Sequence, residues 1–294
     1  MRPRELPAHL VSQPFRRIDA LAAGVTEDRL RAKDLDRSVR GVRSQSPVEG
    51  LAERCRLFAT RLRQDVVFSH LTAARILNAP VPTYAEHDEI LDVTVPAPEP
   101  APHARGLRGH SRALLDSEVV TVRGLRITSP ARTWCDLASM LSLSDLVAVG
   151  DFLVAWRSPL VGIVELDGFV RLRGGQRGAR RARRALELLD ARAESAPESR
   201  LRVILVEAGL PVPEVNYPVR VGGRDYRVDL AYPDLKVAIE YQGDYHRDRV
   251  QWRRDMTRRS HLESDDWAMI EVNADDVRHP RELAGRIQSV LARR

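Results

Sequence analysis

Asp229 and Glu240, eleven residues apart in YRVDLAYPDLKVAIEYQ, are the pair whose types and spacing point most directly to chemistry. Each lies in a segment with the period-two alternation of a strand, and Pro233-Asp234 between them reads as a turn. The alternation predicts Tyr226, Val228 and Leu230 on one face and Asp229 on the other with Arg227 and Ala231. In the following strand Val237, Ile239 and Tyr241 share a face, and Glu240 and Gln242 stand opposite. Adjacent strands can then present two carboxylates side by side. Such a pair repels unless one is protonated or a cation lies between them, and a hard divalent metal with oxygen ligands is the natural partner. Lys236 shares the face of Glu240 but lies four residues away, roughly 13 Å along a strand, too far to serve the same site. Asp255 and Arg258, one turn apart on a predicted helix, read as an ordinary i,i+3 ion pair.

The elements that must position these carboxylates follow from the surrounding pattern. A helix is predicted from Ser195 to Gly209, with Ser195-x-x-Glu198 as a capping box. Strands are predicted at 214–220, 224–231 and 236–242, the first two joined through Gly222-Gly223. A helix at 248–263, a strand at 267–273 and a helix at 280–292 complete an αβββαβα order. PESRLRVILVEAGLPVPEVNYPV, YRVDLAYPDLKVAIEYQGDYH, WRRDMTRRSHLE and WAMIEVNADDV, in that order, resemble the PD-(D/E)xK nuclease superfamily. They are similar above all to a bacterial domain family of unknown function related to very short patch repair endonucleases. The resemblance implies a restriction-endonuclease-like domain at 198–294 that hydrolyses DNA phosphodiester bonds with Mg²⁺, or Mn²⁺ in its place. It also implies that Asp229, Glu240 and the Tyr241 carbonyl hold the metal, with Glu198 reaching in from the helix, and that His246 transfers a proton or contacts phosphate. Where the superfamily carries lysine after Glu-x, this chain has Gln242, which can orient water but supplies no cation and no base.

Charge points to a second functional region. The chain of 294 residues carries 47 basic and 41 acidic side chains, a net +6, yet 171–184 alone hold seven Arg and no acid. Residues 198–294 hold 17 of each sign, so the surplus belongs to the tract and not to the predicted nuclease domain. The tract becomes helical toward Leu189, with Ala182, Leu186, Leu189 and Ala193 on one stripe, and Arg177, Arg180, Arg181, Arg183 and Arg184 left to meet DNA phosphates.

Near the start, helices at 15–24 and 26–35, the second capped by Thr26, followed by RSVRGVR, read as a winged helix-turn-helix with Arg37, Arg40 and Arg43 as phosphate contacts. RRIDALAAGVTEDRLRAKDLDRSVRGVR, FSHLTAARILNAPVP and GLRITSPARTWCDLA resemble antitoxins of abortive-infection, type IV toxin-antitoxin systems, which implies DNA binding by the front part. His70 and His110 belong to no recognisable catalytic motif and read as structural or surface histidines. Cys55 and Cys135 make no CxxC pair, the start lacks a secretory signal, and the apolar stretch at 146–156 is broken by Asp151; a cytoplasmic protein off the membrane is expected.

The expected organisation is an α/β (α+β) chain: a winged helix-turn-helix-like segment at 1–46, a mixed α/β antitoxin-like region at 47–156, an Arg-rich linker and helix at 157–197, and the nuclease domain at 198–294. Two functions suit it. One is a DNA endonuclease delivered by a DNA-binding front half; the other is an antitoxin-like transcriptional regulator whose nuclease fold is degenerate and non-catalytic.

Overall fold

The computed structural model describes residues 5–243 and 249–294, without the side chains of 249–255. Helices and mixed sheets make it an α+β protein, as expected. It divides into two compact units, one ending at Thr133 and the other running from Trp134 to Arg294. Among the described residues no helix is long and apolar enough to cross a membrane.

The first unit starts with α1 (Ala8–Val11), β1 (Phe15–Arg16), α2 (Arg17–Ala22), α3 (Glu27–Leu30) and β2 (Val42–Arg43). β1 and β2 pair antiparallel, and Thr26 caps α3 through Oγ1, which accepts from Arg29 N at 3.3 Å. The predicted second helix at 26–35 is here a single turn. Arg29 is drawn back by a two-pronged bond to Asp34 at 2.8 and 2.9 Å, and the chain leaves the helix at Arg31. A helix of four residues is about 6 Å long.

Next come α4 (Leu51–Ala59), β3 (Val67–Phe68), α5 (His70–Ile76), α6 (Thr83–Glu86), β4 (Leu91–Pro96), β5 (Leu107–Arg112), β6 (Val119–Val122), β7 (Leu125–Thr128) and α7 (Pro130–Leu137), which carries the chain past Thr133. The five strands form one sheet in the order β5-β4-β3-β7-β6. Leu91, Val93, Leu125 and Ile127 face Cys55, Phe58, Ala73 and Ile76 in a shared core. Between them on β4, Asp92 and Thr94 point the other way, yet both are fully buried.

The second unit continues with α8 (Leu143–Val154), α9 (Ile163–Leu172), α10 (Ala179–Glu187), α11 (Ala196–Glu207), β8 (Glu214–Val221), β9 (Arg224–Tyr232), β10 (Val237–Tyr241), α12 (Arg249–Ser264), β11 (Ala268–Val272), α13 (Ala274–Arg278) and α14 (Pro280–Leu291). Asp151, the charge that interrupts the apolar α8, is paired with Arg202 of α11 at 2.6 Å with both side chains buried. Burial pushes the Asp151 carboxyl up to about 6, against the pull of Arg202. From α11 onward the expected order of elements is present, with α13 added before the last helix. The sheet order is β11-β10-β9-β8, with β10 and β11 parallel and the other pairs antiparallel. Gly222 and Gly223 both take positive φ, 56° and 76°, as a two-residue hairpin turn requires. Leu201 and Leu205 of α11 and Leu283 and Ile287 of α14 pack on one face of the sheet. Leu262 of α12 packs on the other, with Ala231, Ala238 and Trp267.

Candidate functional site

The carboxylates sit where this second sheet breaks its own alternation. β8 and β9 pair on both sides of one gap, Val215 with Leu230 and Tyr217 with Val228, and the skipped residues are Asn216 and Asp229. Asn216 is in the left-handed region at φ 50°, a conformation Asn tolerates better than most side chains. The strands change face there. Val228 packs with Tyr226 in the α12 layer, whereas Leu230 packs in the layer of α11 and α14. The expectation that Val228 and Leu230 share a face is therefore corrected: the turn at Asn216 rotates the far half of the hairpin.

Continuing the register of β9 and β10 sets Glu240 opposite Asp229, but the pairing ends at Ile239 with Leu230. In place of a ladder bond, Asp229 Oδ2 accepts the Tyr241 N–H at 2.9 Å. Asp229 Oδ1 has no partner among the described residues. Burial raises the Asp229 carboxyl above its ordinary range, opposed by the Tyr241 N–H and by Arg258 and Arg227. Glu240 is paired with Arg258 of α12, whose guanidinium also donates to the Arg227 carbonyl. Arg258 is thus turned toward the sheet; the Asp255 side chain lies outside the described residues.

Glu198 keeps its cap and adds a second role. Its backbone N–H bonds the Ser195 hydroxyl, the Ser195 hydroxyl donates to its Oε1 at 2.6 Å, and Asn216 Nδ2 reaches its Oε2 at 3.4 Å. It is buried, and that burial, with the nearby Asp229 charge adding to it, raises its carboxyl. Glu198 is engaged by its cap, and Asp229, Glu240 and Glu198 do not close to within 4.8 Å as a trio of ligand atoms. Gln242 is half-buried and its backbone N–H bonds the Val272 carbonyl. Lys236 is held away, its Nζ bonded to the Asp265 carbonyl and carboxylate at 2.8 and 3.1 Å. His246 lies outside the described residues.

The arginines singled out by the sequence are unequal. Arg177 and Arg180 are exposed and have no partner among the described residues. Arg183 is exposed with only a bond to Ala179 O at 3.4 Å, and Arg181 donates to Ala138 O. Arg184 is committed to Glu187 and Glu207 at 3.1 and 2.9 Å. α10 buries Ala182 and Ala185, with Leu188 buried at its cap; of the expected stripe Leu186 and Leu189 are only half-buried, and Ala193 is buried beyond the end of the helix. In the first unit Arg37 and Arg40 are exposed, whereas Arg43 is half-buried and donates to the Leu30 and Val42 carbonyls. Burial, with Arg37 adding to it, lowers the Arg43 pKa. All three nevertheless line a cleft of about 1390 Å³ whose wall also carries Arg54, Arg61 and Arg105.

A further cluster joins His70 and His110, expected to be structural or surface histidines, with Asp92, which no motif marks. The ligand atoms of His70, Asp92 and His110 all lie within 4.8 Å of one another. The rings of His70 and His110 stack with centroids 3.8 Å apart, and His110 Nε2 lies 2.9 Å from Asp92 Oδ1. Burial, with the charges of His110 and Arg132 adding to it, pushes the His70 imidazole down to about 2. The parallel register of β4 and β5, Asp92 with Arg108 and Thr94 with His110, places the strand members on one face. Asp92 alternating with Thr94 inside LDVTVP was the available signal, but such alternation reads as a solvent-facing edge.

Fold and sites thus define an α+β protein with a carboxylate site at a strand break and an imidazole-carboxylate cluster in its other unit. The uncharacterized proteins MT2308 and Rv2248 of Mycobacterium tuberculosis are each 37% identical to it over 191 residues, which cover 64% of this chain and 69% of theirs. The chain belongs to the family of these two proteins. No known family model and no solved structure matches it.

Proposed function

We propose that this protein is a metal-dependent DNA endonuclease, with 198–294 as a restriction-endonuclease-like domain and the N-terminal region, winged helix-turn-helix-like at its start, as the part that grips DNA. One observation carries the reading: the half-buried Asp229 leaves the strand ladder opposite Glu240, with Glu198, at the start of the preceding helix, near enough to feel its charge. The donors are hard oxygens, and the open Oδ1 of Asp229 fits a divalent cation. Mg²⁺ or Mn²⁺ would be held by Asp229, Glu240 and the Tyr241 carbonyl, with Glu198 behind them. Such an ion supplies positive charge against the developing phosphorane and acidifies the attacking water. The Tyr241 N–H fixes the orientation of Asp229. Gln242 can orient a water by hydrogen bonding, and Arg258 puts beside Glu240 the cation that Gln242 lacks. Exposed Arg177, Arg180 and Arg183, with the Arg-lined cleft of the first unit, supply phosphate contacts.

The same Arg258–Glu240 pair favours a second reading. An arginine closed on the carboxylate neutralises it without metal, as a degenerate nuclease fold in a DNA-binding regulator would allow. Cleavage of plasmid and oligonucleotide DNA with Mg²⁺ or Mn²⁺, comparing wild type with Asp229→Ala and Glu240→Ala, separates the two. Loss of cutting in both variants supports the nuclease; wild type and variants equally inert, or equally active, refute it.

A further inference from the structure

We propose that His70, Asp92 and His110 form a binding site for one divalent transition-metal ion of the zinc class, inside the first unit and independent of the carboxylate site in the second. Two imidazoles and one carboxylate suit Zn²⁺, Fe²⁺ or Co²⁺, whereas Mg²⁺ and Ca²⁺ prefer all-oxygen shells.

The spacing of one pair fits directly. Two ligands on one tetrahedral ion with bonds of 2.0–2.1 Å stand about 3.3 Å apart. His110 Nε2 and Asp92 Oδ1 are 2.9 Å apart and need an opening of only a few tenths of an ångström, whereas the stacked His70 and His110 rings must swing out of their parallel arrangement before both lone pairs meet on one ion. The supporting groups already orient the ligands. Ser69 Oγ lies 2.9 Å from His70 Nδ1, and a proton on Nδ1 donated to that oxygen leaves the Nε2 lone pair free for a ligand. Thr94 Oγ1 donates to Ser69 Oγ at 2.8 Å, and Thr72 Oγ1 accepts the Asp92 N–H at 2.8 Å, tying the start of α5 to β4.

His70 itself sits in the left-handed region at φ 49°, unusual for a bulky side chain at the start of a helix. Strain of that kind persists where the surroundings over-determine it, and it gathers at functional sites. Arg108 is the competitor for Asp92, at 3.3 and 3.4 Å, but it also lies 3.5 Å from Asp88 and can keep that partner when an ion takes Asp92.

The test uses untagged full-length protein, stripped with a chelator and dialysed against Zn²⁺ or Co²⁺. Bound metal is counted by elemental analysis, and Co²⁺ is followed by its visible absorption. Wild type is expected to hold one equivalent that millimolar Mg²⁺ does not displace, with a Co²⁺ band of nitrogen and oxygen ligation. His110→Ala, at the edge of the cluster, should weaken binding at least about 100-fold while its metal-free circular dichroism stays that of a folded protein, Arg108 remaining as a partner of the buried Asp92. Asp92→Asn, which keeps the side-chain shape, should do the same and carries the comparison if His110→Ala does not fold. The Asp229→Ala/Glu240→Ala double variant should retain the full equivalent. A folded wild type that binds no ion overturns the proposal, leaving His110, Asp92 and Arg108 as a closed polar network. Full retention by both His110→Ala and Asp92→Asn overturns it equally.

Discussion

Asp92 in the first unit and Asp229 in the second both lie on interior strands of mixed sheets, and the fold treats them in opposite ways. Asp92 is wholly enclosed and faces cationic or protonatable partners, His110 and Arg108. Asp229 is half-buried at a break in the ladder, held by one backbone N–H, and its carboxyl is raised. A paired buried carboxylate stabilises the structure around it, because removing it strands its partners. A desolvated carboxylate without a full complement of donors costs stability and is retained where charge is useful.

The largest test of this contrast is Asp92→Ala in chelator. It should cost about 2 kcal/mol by urea unfolding, since it takes the carboxylate from the half-buried His110 and Arg108 and leaves a void in its place. A cost below about 1 kcal/mol would place Asp92 with Asp229.

A second test is acid sensitivity. The His70 pKa is depressed in the folded state, so its stabilising contribution is complete above the unfolded value near 6.5 and is lost as pH falls toward about 2. Wild type should lose about 2 kcal/mol between pH 7 and pH 5 from this group, and His70→Gln should remove that dependence.

Asp229→Asn should move the other way, gaining about 1 kcal/mol at neutral pH while cleavage is lost. The sign of its pH dependence follows from the raised folded pKa of Asp229: the stability it contributes is present below its unfolded pKa and is lost as pH rises through the folded value. The gain from asparagine should therefore be larger at pH 8 than at pH 4, checked by melting temperatures at both. A uniform gain would remove burial as the cause.

The smallest effects belong to the arginines. Arg177→Gln and Arg180→Gln should each lower the slope of log affinity for DNA against log salt by about one, while Arg184→Gln, whose charge is already engaged by Glu187 and Glu207, should leave it unchanged.

Much of the second unit was legible in the chain. Period-two alternation, Gly222-Gly223 and Pro233 delimit β8, β9 and β10, and Ser195-x-x-Glu198 marks the start of α11, because local backbone preferences and one buried face determine each of them. The face switch at Asn216 was not legible, since nothing in the alternation of 224–231 announces a left-handed residue on the neighbouring strand. Arg258 reads as a partner for Asp255 because i,i+3 contacts are visible in sequence, whereas its approach to Glu240 depends on packing α12 against the sheet. In the first unit the winged segment rests on two helical patterns, the Thr26 cap and RSVRGVR, yet the Arg29–Asp34 bond and the exit at Arg31 leave α3 only one turn.

By itself the sequence determined the order of elements from Ser195 onward, the strand positions of Asp229 and Glu240, and the concentration of positive charge in one short tract, since each rests on contacts or counts within a few residues. Tertiary structure alone decided which charges are spent and which remain available. It matched Arg184 with Glu207, Asp151 with Arg202 and Arg258 with Glu240, and it brought His70, Asp92 and His110 together from a helix start and two strands. Charges and ligands act over a few ångströms of space, and only the packing of distant segments sets those distances.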